Sequence, residues 1–218
     1  MGVIFLIGMA GCGKTTLGRA LAAEMDMKFV DLDEYIEERC EATIGQIFEQ
    51  AGEPVFREME RQALHEVAAM DGAIVACGGG TPCQPGNMEL INEHGLSIWL
   101  TTTPQRIAER LCLPQEKAKR PAIAHMTDAE VLEYVTRQLA ERQPHYEQAM
   151  LRFDSTLLES AEEITATAHS LAELLQFQDE VCIVVRVFSL SKSCELPLVK
   201  KPAYAGNFLA AKTQEFLL

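Results

Sequence analysis

A short segment near the N-terminus combines glycines with a lysine and a threonine in a pattern that binds phosphate. Residues 8–15 read GMAGCGKT and match the pattern G-x-x-x-x-G-K-[ST]. Glycines let the backbone turn successive N–H groups towards an anion, and a helix that follows adds the positive end of its dipole. The lysine then reaches the β- and γ-phosphates, and the threonine hydroxyl can bind Mg²⁺. We predict a phosphate-binding loop whose nucleotide-binding residues are Gly11, Cys12, Gly13, Lys14, Thr15 and Thr16.

Two carboxylates follow at the end of the next apolar run. Asp31 and Asp33 flank Leu32, so in an extended chain both side chains point to the same side. At the carboxyl edge of a parallel sheet they would lie where such folds bind their ligands. One is suited to hold Mg²⁺ through water, and the other to accept or orient a substrate hydroxyl proton. The alternative is a helix N-cap at Asp33, which leaves Asp31 without a role.

Two further segments suit a small hydroxylated carboxylate. Arg57 and Glu60 lie three residues apart on one face of a predicted helix, where Glu60 would hold the guanidinium ready for a substrate carboxylate. A surface ion pair would have the same spacing. The glycines at 78–80 end an apolar run and allow a ligand to approach the backbone closely, with a bare turn as the alternative.

In this order and spacing the four segments resemble shikimate kinases. That family has a phosphate loop, a D-x-D pair, an F-R-x-x-E segment and a G-G-G strand end, followed by an arginine-proline lid and an R-x-P-x-Y segment. The last two correspond here to Arg120-Pro121 and to RQPHY at 142–146, and the resemblance covers residues 1–177. It implies Mg²⁺-dependent transfer of the ATP γ-phosphoryl group to the 3-hydroxyl of shikimate, giving shikimate 3-phosphate and ADP for aromatic amino-acid biosynthesis.

The resemblance also implies roles on the shikimate side of the site. Asp33 would bind the shikimate hydroxyl and act as a base or as an orienting group. The carboxylate and ring hydroxyls would be held by two arginines and three backbone segments, namely Arg57, Arg142, Gly78, Gly79 and Gly80.

On the nucleotide side the resemblance implies ATP and Mg²⁺ as cofactors. Lys14 and the lid residue Arg120 would stabilise charge on the transferring phosphoryl group. Thr15 would bind Mg²⁺ directly, and Asp31 would reach it through water. Residues 155–160 lack the basic and proline residues often found against adenine in this family, which leaves Arg110 as a candidate stacking partner.

The elements that must position these residues alternate between strands and helices. Short apolar runs predict strands at 3–7, 28–32, 73–77, 96–100 and 152–156. Helical periodicity is present after residue 14, over 33–70 with a break near 52–54, after 104, over 127–150 and over 161–177. This alternation predicts an α/β protein with the three-layer P-loop kinase fold, in which a five-stranded parallel sheet is flanked by helices.

Two segments fall outside this pattern. Residues 113–125 contain two prolines and a basic cluster without periodicity, so we predict a long loop that acts as a lid over the triphosphate. A merely solubilising loop is the alternative. Beyond residue 177 the pattern is lost, and we predict a kinase-like domain over 1–177 and an extension of unknown role over 178–218. Within the extension, Glu180–Leu190 has the composition of a strand.

Bulk composition limits the partners of the chain. A net charge of −13 argues against a general nucleic-acid or anionic-membrane surface, although a few arginines can still make one pocket positive. Seven cysteines without a C-x-x-C pair are typical of a reducing cytoplasm. No run has the layout of a membrane span or a signal peptide. We expect a cytoplasmic monomer that acts on small molecules, with no nucleic-acid or membrane partner.

Two other functions compete with this interpretation. The first is a related small-molecule kinase that acts on gluconate or a nucleotide, against which Arg57, Glu60, the triple glycine and Arg142 argue together. The second is a nucleotide-binding regulatory protein that has lost turnover. ATP affinity without turnover on any acceptor would favour the second.

Overall fold

The computed structural model describes residues 2–118, 120 and 122–191, with side chains described as far as residue 176. Its centre is a five-stranded parallel sheet in the order β2-β3-β1-β4-β5. The strands are β1 Val3–Ile7, β2 Lys28–Asp31, β3 Ala73–Ala76, β4 Gly95–Thr101 and β5 Leu151–Asp154. The predicted number of strands and their parallel arrangement are confirmed, and each strand lies within two residues of its predicted bounds.

Helices connect consecutive strands and cover both faces of the sheet. They are α1 Lys14–Glu24, α2 Leu32–Cys40, α3 Ile44–Ala68, α4 Asn87–His94, α5 Pro104–Leu111, α6 Pro114–Ala118, α7 Asp128–Tyr146 and α8 Ala161–Ser191, with a 3₁₀ turn at Thr81–Cys83. Two predicted N-termini are confirmed by their caps. Thr103 caps α5 with Pro104 at its first position, and Thr127 and Glu130 form a capping box at α7.

The central strand β1 is buried on both faces and divides the core in two. Val3, Phe5 and Ile7 join the cluster that packs under α2, α3 and α4. Ile4 and Leu6 join the cluster that packs under α1 and α8. An uninterrupted apolar run is therefore required here, because side chains on alternate sides of a strand meet protein on both faces of the sheet.

The connection from β2 to α2 is tighter than predicted. The strand ends at Asp31, and α2 begins at Leu32, so the extended geometry assumed for residues 31–33 was wrong. Asp31, not Asp33, is the N-cap, and its carboxylate accepts hydrogen bonds from the backbone N–H groups of Asp33 and Glu34 at 3.1 and 3.5 Å. The N-cap role that the sequence offered to Asp33 therefore belongs to Asp31.

The predicted helical stretch over 33–70 has two interruptions. One is the expected break, where Gly52 has a φ of 81° just before Glu53 and Pro54. The other lies at residues 41–43, where Glu41 adopts a left-handed conformation and Thr43 begins α3 with a capping box to Gln46. This second interruption was not predicted, although a Thr-x-x-Gln signal at 43–46 marks it in the sequence.

Two other sequence-based expectations were wrong. The segment at 113–125 is not entirely a loop, because α6 occupies Pro114–Ala118. Glu180–Leu190 is not a strand, because it forms the second half of α8. A helix already begun gains one backbone hydrogen bond for each added residue, whereas a strand needs a partner at a sheet edge. The proposed boundary at residue 177 falls inside α8, residues 192–218 lie outside the described residues, and the division into two parts stays a prediction.

None of the helices in the described part of the chain is long and apolar enough to cross a membrane.

Candidate active site

The phosphate-binding loop connects β1 to α1, and glycines are required in it for steric reasons. Gly8 and Gly13 have φ angles of 139° and 98°, which side-chain-bearing residues rarely adopt. A Cβ on Gly8 would lie 2.7 Å from the carbonyl oxygen of Leu100, and one on Gly13 would lie 2.2 Å from Leu158 Cδ1. The loop is therefore packed tightly against β4 and the segment that follows β5.

Side chains donate hydrogen bonds to the backbone carbonyl groups of this loop. Lys14 Nζ donates to the carbonyls of Gly8 and Met9 at 2.8 and 3.0 Å, Arg110 donates to that of Gly11 at 3.3 Å, and Ser155 Oγ donates to that of Cys12 at 2.7 Å. Within the described part of the chain, no group accepts a hydrogen bond from the backbone N–H groups of Ala10, Gly11 or Gly13. These amides at the start of α1 fit a phosphate group.

The candidate Mg²⁺ ligands Thr15 and Asp31 are in contact. Thr15 Oγ1 donates to Asp31 Oδ2 at 2.7 Å, between the first turn of α1 and the end of β2. Among the described residues no cluster of three or more His, Cys, Asp or Glu side chains could hold a metal ion by itself. One hydroxyl and one carboxylate fit Mg²⁺, since this ion takes most of its ligands from substrate phosphates and water.

Asp33 lies in the first turn of α2, with its carboxyl group next to Gly78, and has a perturbed pKa. Removal from bulk water by the surrounding protein raises the pKa of Asp33 from 3.8 to about 6, and the negative charges of Asp31 and Glu60 add to the effect. The positive charge of Lys14 acts in the opposite direction. A carboxylate with a pKa near neutrality is suited to accept a proton from a hydroxyl group.

Glu60 is a buried carboxylate that orients its neighbours. Its side chain is 1% exposed, and it accepts hydrogen bonds from Arg57 Nη1 at 2.9 Å and from Thr81 Oγ1 at 2.5 Å. The guanidinium of Arg57 also donates from Nε and Nη2 to the carboxylate of Glu53 at 3.2 and 3.0 Å. The predicted pairing of Arg57 with Glu60 is therefore present, and it links α3 to the turn after β3.

The three glycines after β3 form the surface on which the candidate groups converge. A Cβ on Gly78 would lie 3.0 Å from Asp33 Oδ1, one on Gly79 would lie 3.4 Å from Arg142 Nη1, and one on Gly80 would lie 3.2 Å from Arg57 Nη1. The same atom on Gly79 would lie 3.1 Å from the backbone nitrogen of Ala10. Asp33, both arginines and the phosphate-binding loop thus meet at one turn.

Arg142 is held without a carboxylate partner among the described residues. Its Nη2 donates to the side-chain oxygen of Gln138 at 2.6 Å, and its Nη1 lies 3.9 Å from the sulfur of Met9. Nearby, the hydroxyl of Tyr146 donates to the carbonyl of Gly79 at 2.6 Å, which fixes the end of α7 against the glycine turn. No carboxylate of the described residues therefore pairs with this guanidinium next to Gly79.

Three other predicted site residues lie in different surroundings. Arg120 is not part of the cluster, because its Nη1 donates to the backbone and side-chain oxygens of Glu116 at 2.8 and 2.6 Å. Cys12 is 1% exposed, so only its backbone can face a ligand. Thr16 is exposed on the first turn of α1.

Some groups of the site carry no sequence signal, and others were assigned differently. Thr81 was not identified, although it is buried against Glu60. Glu53 lies four residues before Arg57, a spacing that could have indicated their ion pair. Arg110, the candidate adenine partner, donates to Glu159 and to the carbonyl of Thr156 at 2.9 Å each, in addition to its bond to the loop.

Comparison with known proteins identifies the family. A family model described as shikimate kinase matches residues 10–173. The chain belongs to the shikimate kinase family. The shikimate kinase of Phocaeicola vulgatus is 43% identical over 172 residues, covering 79% of this chain and 97% of that relative. The shikimate kinase of Bacteroides thetaiotaomicron is 40% identical over 173 residues, covering 79% of this chain and 98% of that relative.

Solved structures of shikimate kinases share the fold. The crystal structure from Bacteroides thetaiotaomicron aligns with a TM-score of 0.77 and 39% identity, covering 80% of this chain and 98% of that one. The shikimate kinase of Acinetobacter baumannii, solved in complex with shikimate, aligns with a TM-score of 0.70 and 29% identity over 82% and 94%. The predicted P-loop kinase fold and the prediction of a shikimate kinase dependent on ATP and Mg²⁺ are confirmed.

The raised pKa of Asp33 predicts a pH-dependent change in stability. The folded protein binds a proton on Asp33 up to about pH 6 and the unfolded chain only to 3.8, so ionisation of Asp33 destabilises the fold as the pH rises through this window. We expect Asp33→Asn to raise the Tm at pH 7 by roughly 2–4 °C. The gain should shrink as the pH is lowered towards about 4. Thermal unfolding across this range, with the exposed Asp71→Asn as a control that matches wild type, measures the difference. An unchanged Tm at pH 7 would contradict the raised pKa.

Proposed function

We propose that Asp33 receives or orients the proton of the 3-hydroxyl of shikimate during phosphoryl transfer from ATP. The observation that carries this assignment is the convergence of Asp33, Arg57 and Arg142 on the turn at 78–80, directly beside the phosphate-binding loop. A pKa of about 6 supports it, because the carboxylate is ionised at neutral pH yet basic enough to attract a hydroxyl proton.

The carboxylate and ring hydroxyls of shikimate are proposed to bind the two arginines and the glycine backbone. Arg57 is oriented by the buried Glu60, and Arg142 is oriented by the neutral Gln138. A planar guanidinium can hold a carboxylate through two parallel hydrogen bonds. The absence of side chains at 78–80 leaves room for a ring to lie against the backbone.

On the nucleotide side, the amides of the loop and Lys14 are proposed to hold the phosphates. Lys14 Nζ must then exchange the carbonyls of Gly8 and Met9 for phosphate oxygens. Thr15 and Asp31 would hold Mg²⁺, which when bound supplies positive charge to the phosphate oxygens. Arg120 would add charge to the transferring group after its contact with Glu116 is broken by closure of the lid.

A cytoplasmic monomer is part of the proposal. Every proposed catalytic and binding group belongs to one chain, so the site needs no second copy. Cys12, Cys40, Cys77, Cys83 and Cys112 are free thiols, which supports a reducing compartment.

Acceptor specificity tests the proposed reaction. We expect ADP release in a coupled assay with Mg²⁺ and ATP when shikimate is added, and only background release with gluconate or AMP, because only shikimate presents a ring carboxylate to both arginines. Comparable release with gluconate would contradict the assignment of Arg57 and Arg142. Tight ATP binding without release on any acceptor would indicate a regulatory protein instead.

Replacement of Asp33 separates its role from nucleotide binding. We expect Asp33→Asn to lower kcat by roughly 10²–10⁴-fold, which is the usual contribution of a positioned acid or base. The affinity for ATP should be unchanged, because ATP binding depends on the loop and Lys14. Steady-state kinetics and direct ATP titration measure the two quantities, with Asp71→Asn as the control. An equal loss of ATP affinity would show that the assigned role is wrong.

The buried Glu60 should control shikimate binding. Glu60→Gln keeps the shape of the side chain but removes the charge that holds Arg57, and we expect the KM for shikimate to rise by roughly 10–100-fold. The KM for ATP should stay within about twofold. Glu58→Gln is the matched control, because Glu58 is exposed on the same helix and pairs with Arg61. A KM for shikimate unchanged in Glu60→Gln would rule out this orienting role.

A further inference from the structure

A cavity of about 110 Å³ lies beneath the phosphate-binding loop, separate from the turn at 78–80. Its walls come from the loop, the end of β4, the start of β5 and the facing sides of α5 and α7. Neither Asp33 nor the two arginines of the proposed shikimate site line it. The volume is large enough to hold several water molecules or a small organic group.

The inner wall of this cavity is apolar. Met9, Leu100, Ile107 and Leu139 line it, and each of these side chains also belongs to, or packs against, a core cluster. Apolar walls of this kind favour the hydrocarbon part of a ligand over water.

The uncharged polar groups of the lining are already engaged in hydrogen bonds. Thr101 Oγ1 donates to the carbonyl of Phe153 at 3.2 Å, and Thr102 Oγ1 lies 3.1 Å from Thr156 Oγ1. Gln143 Nε2 donates to Glu147 at 2.7 Å. These contacts use part of the hydrogen-bonding capacity of the three side chains, so the strongest attraction for an anion comes from a cation among the described residues of the lining.

That cation is Arg152, which is oriented but not neutralised. Its guanidinium carbon lies 4.9 Å from the centre of the Trp99 ring, a cation–π contact that holds the plane of the group. Within the described part of the chain, no carboxylate lies within ion-pair distance of it. The nearest acid along the strand, Asp154, accepts a hydrogen bond from the backbone N–H of Thr156 at 2.8 Å. Arg152 therefore retains donors for an anion.

We propose that this cavity binds a small organic carboxylate with an apolar body. The carboxylate would pair with Arg152, since a guanidinium and a carboxylate match in shape and form two parallel hydrogen bonds. The apolar body would lie against Met9, Ile107 and Leu139. A molecule bound there would touch the phosphate-binding loop, because Met9 of the loop lines the cavity. Met9 also accepts a hydrogen bond from Lys14 through its carbonyl oxygen and contacts Arg142 through its sulfur.

Benzoate is a suitable probe, and the protein contains its own reporter. Trp99 is the only tryptophan of the chain and lines the cavity, so its fluorescence should respond to an occupant. We expect a saturable change on titration with benzoate at constant ionic strength in the presence of saturating shikimate. Benzyl alcohol, which has the ring but no charge, should bind with an affinity at least about tenfold lower.

Substitution of Arg152 tests the site directly. We expect Arg152→Gln to weaken benzoate binding by about tenfold or more. The control is Arg137→Gln, because Arg137 is also exposed and stacked on an aromatic ring, that of Tyr134, but lies outside the cavity. Since loss of the stack on Trp99 changes the emission itself, equilibrium dialysis with labelled benzoate should accompany the titration.

Three results would overturn the proposal. The first is no saturable binding of benzoate to the wild type up to about 10 mM, which corresponds to negligible affinity. The second is displacement of benzoate by shikimate, which would locate it at Arg57 and Arg142. The third is equal affinity in Arg152→Gln and Arg137→Gln.

Two controls show that a loss of binding comes from the guanidinium. Because Arg152 is on the surface, the circular dichroism spectrum of Arg152→Gln should match that of the wild type. Arg152→Lys should retain partial binding through its charge.

Discussion

The loop at 8–13 is held in shape by side chains that donate hydrogen bonds to its carbonyl groups and leave several of its backbone N–H groups free. Three side chains occupy four of these carbonyls: Lys14 those of Gly8 and Met9, Arg110 that of Gly11, and Ser155 that of Cys12. The contacts of Arg110 and Ser155 need not be displaced by phosphate, whereas Lys14 is proposed to move from the loop carbonyls to the phosphate oxygens. They also connect the loop to α5 and to the segment after β5, so a movement of either element would shift the loop.

The position of the proposed acceptor site depends on the order of the strands. Because β1 and β3 are neighbours and parallel, the loop after β1 and the glycine turn after β3 emerge side by side at one edge of the sheet. Gly79 comes so close to Ala10 that a Cβ could not be added without strain. From the other side, the buried Glu60 fixes Arg57 and Thr81 against the same turn. The fold therefore places the proposed acceptor-binding groups beside the phosphate-binding loop.

The sequence predicted the parts of the site that depend on local rules and missed those that depend on tertiary contacts. The phosphate-binding loop and the three-residue spacing of Arg57 and Glu60 are local patterns, and both are present in the structure. The orientation of residues 31–33 was wrong because the start of α2 at Leu32 replaced the assumed extended chain. The second half of α8 was assigned to a strand from β-branched residues, whose preference is weak against helix propagation. Arg110 could not be assigned to the loop, since 99 residues separate it from Gly11.

An acidic protein can attract anionic substrates when its arginines differ in how they are neutralised. Surface arginines such as Arg19 and Arg61 are each paired with a glutamate and contribute little net potential. Arg57 is also paired, so its orientation is fixed while two carboxylates offset its positive charge. Arg142 instead donates to the neutral Gln138, and its full positive charge acts on the space beside Gly79. Arg57 therefore has the more fixed orientation, and Arg142 contributes the larger net positive potential. The neutral amide of Gln138 suits the role proposed for Arg142, because a carboxylate in its place would offset the positive charge of the guanidinium.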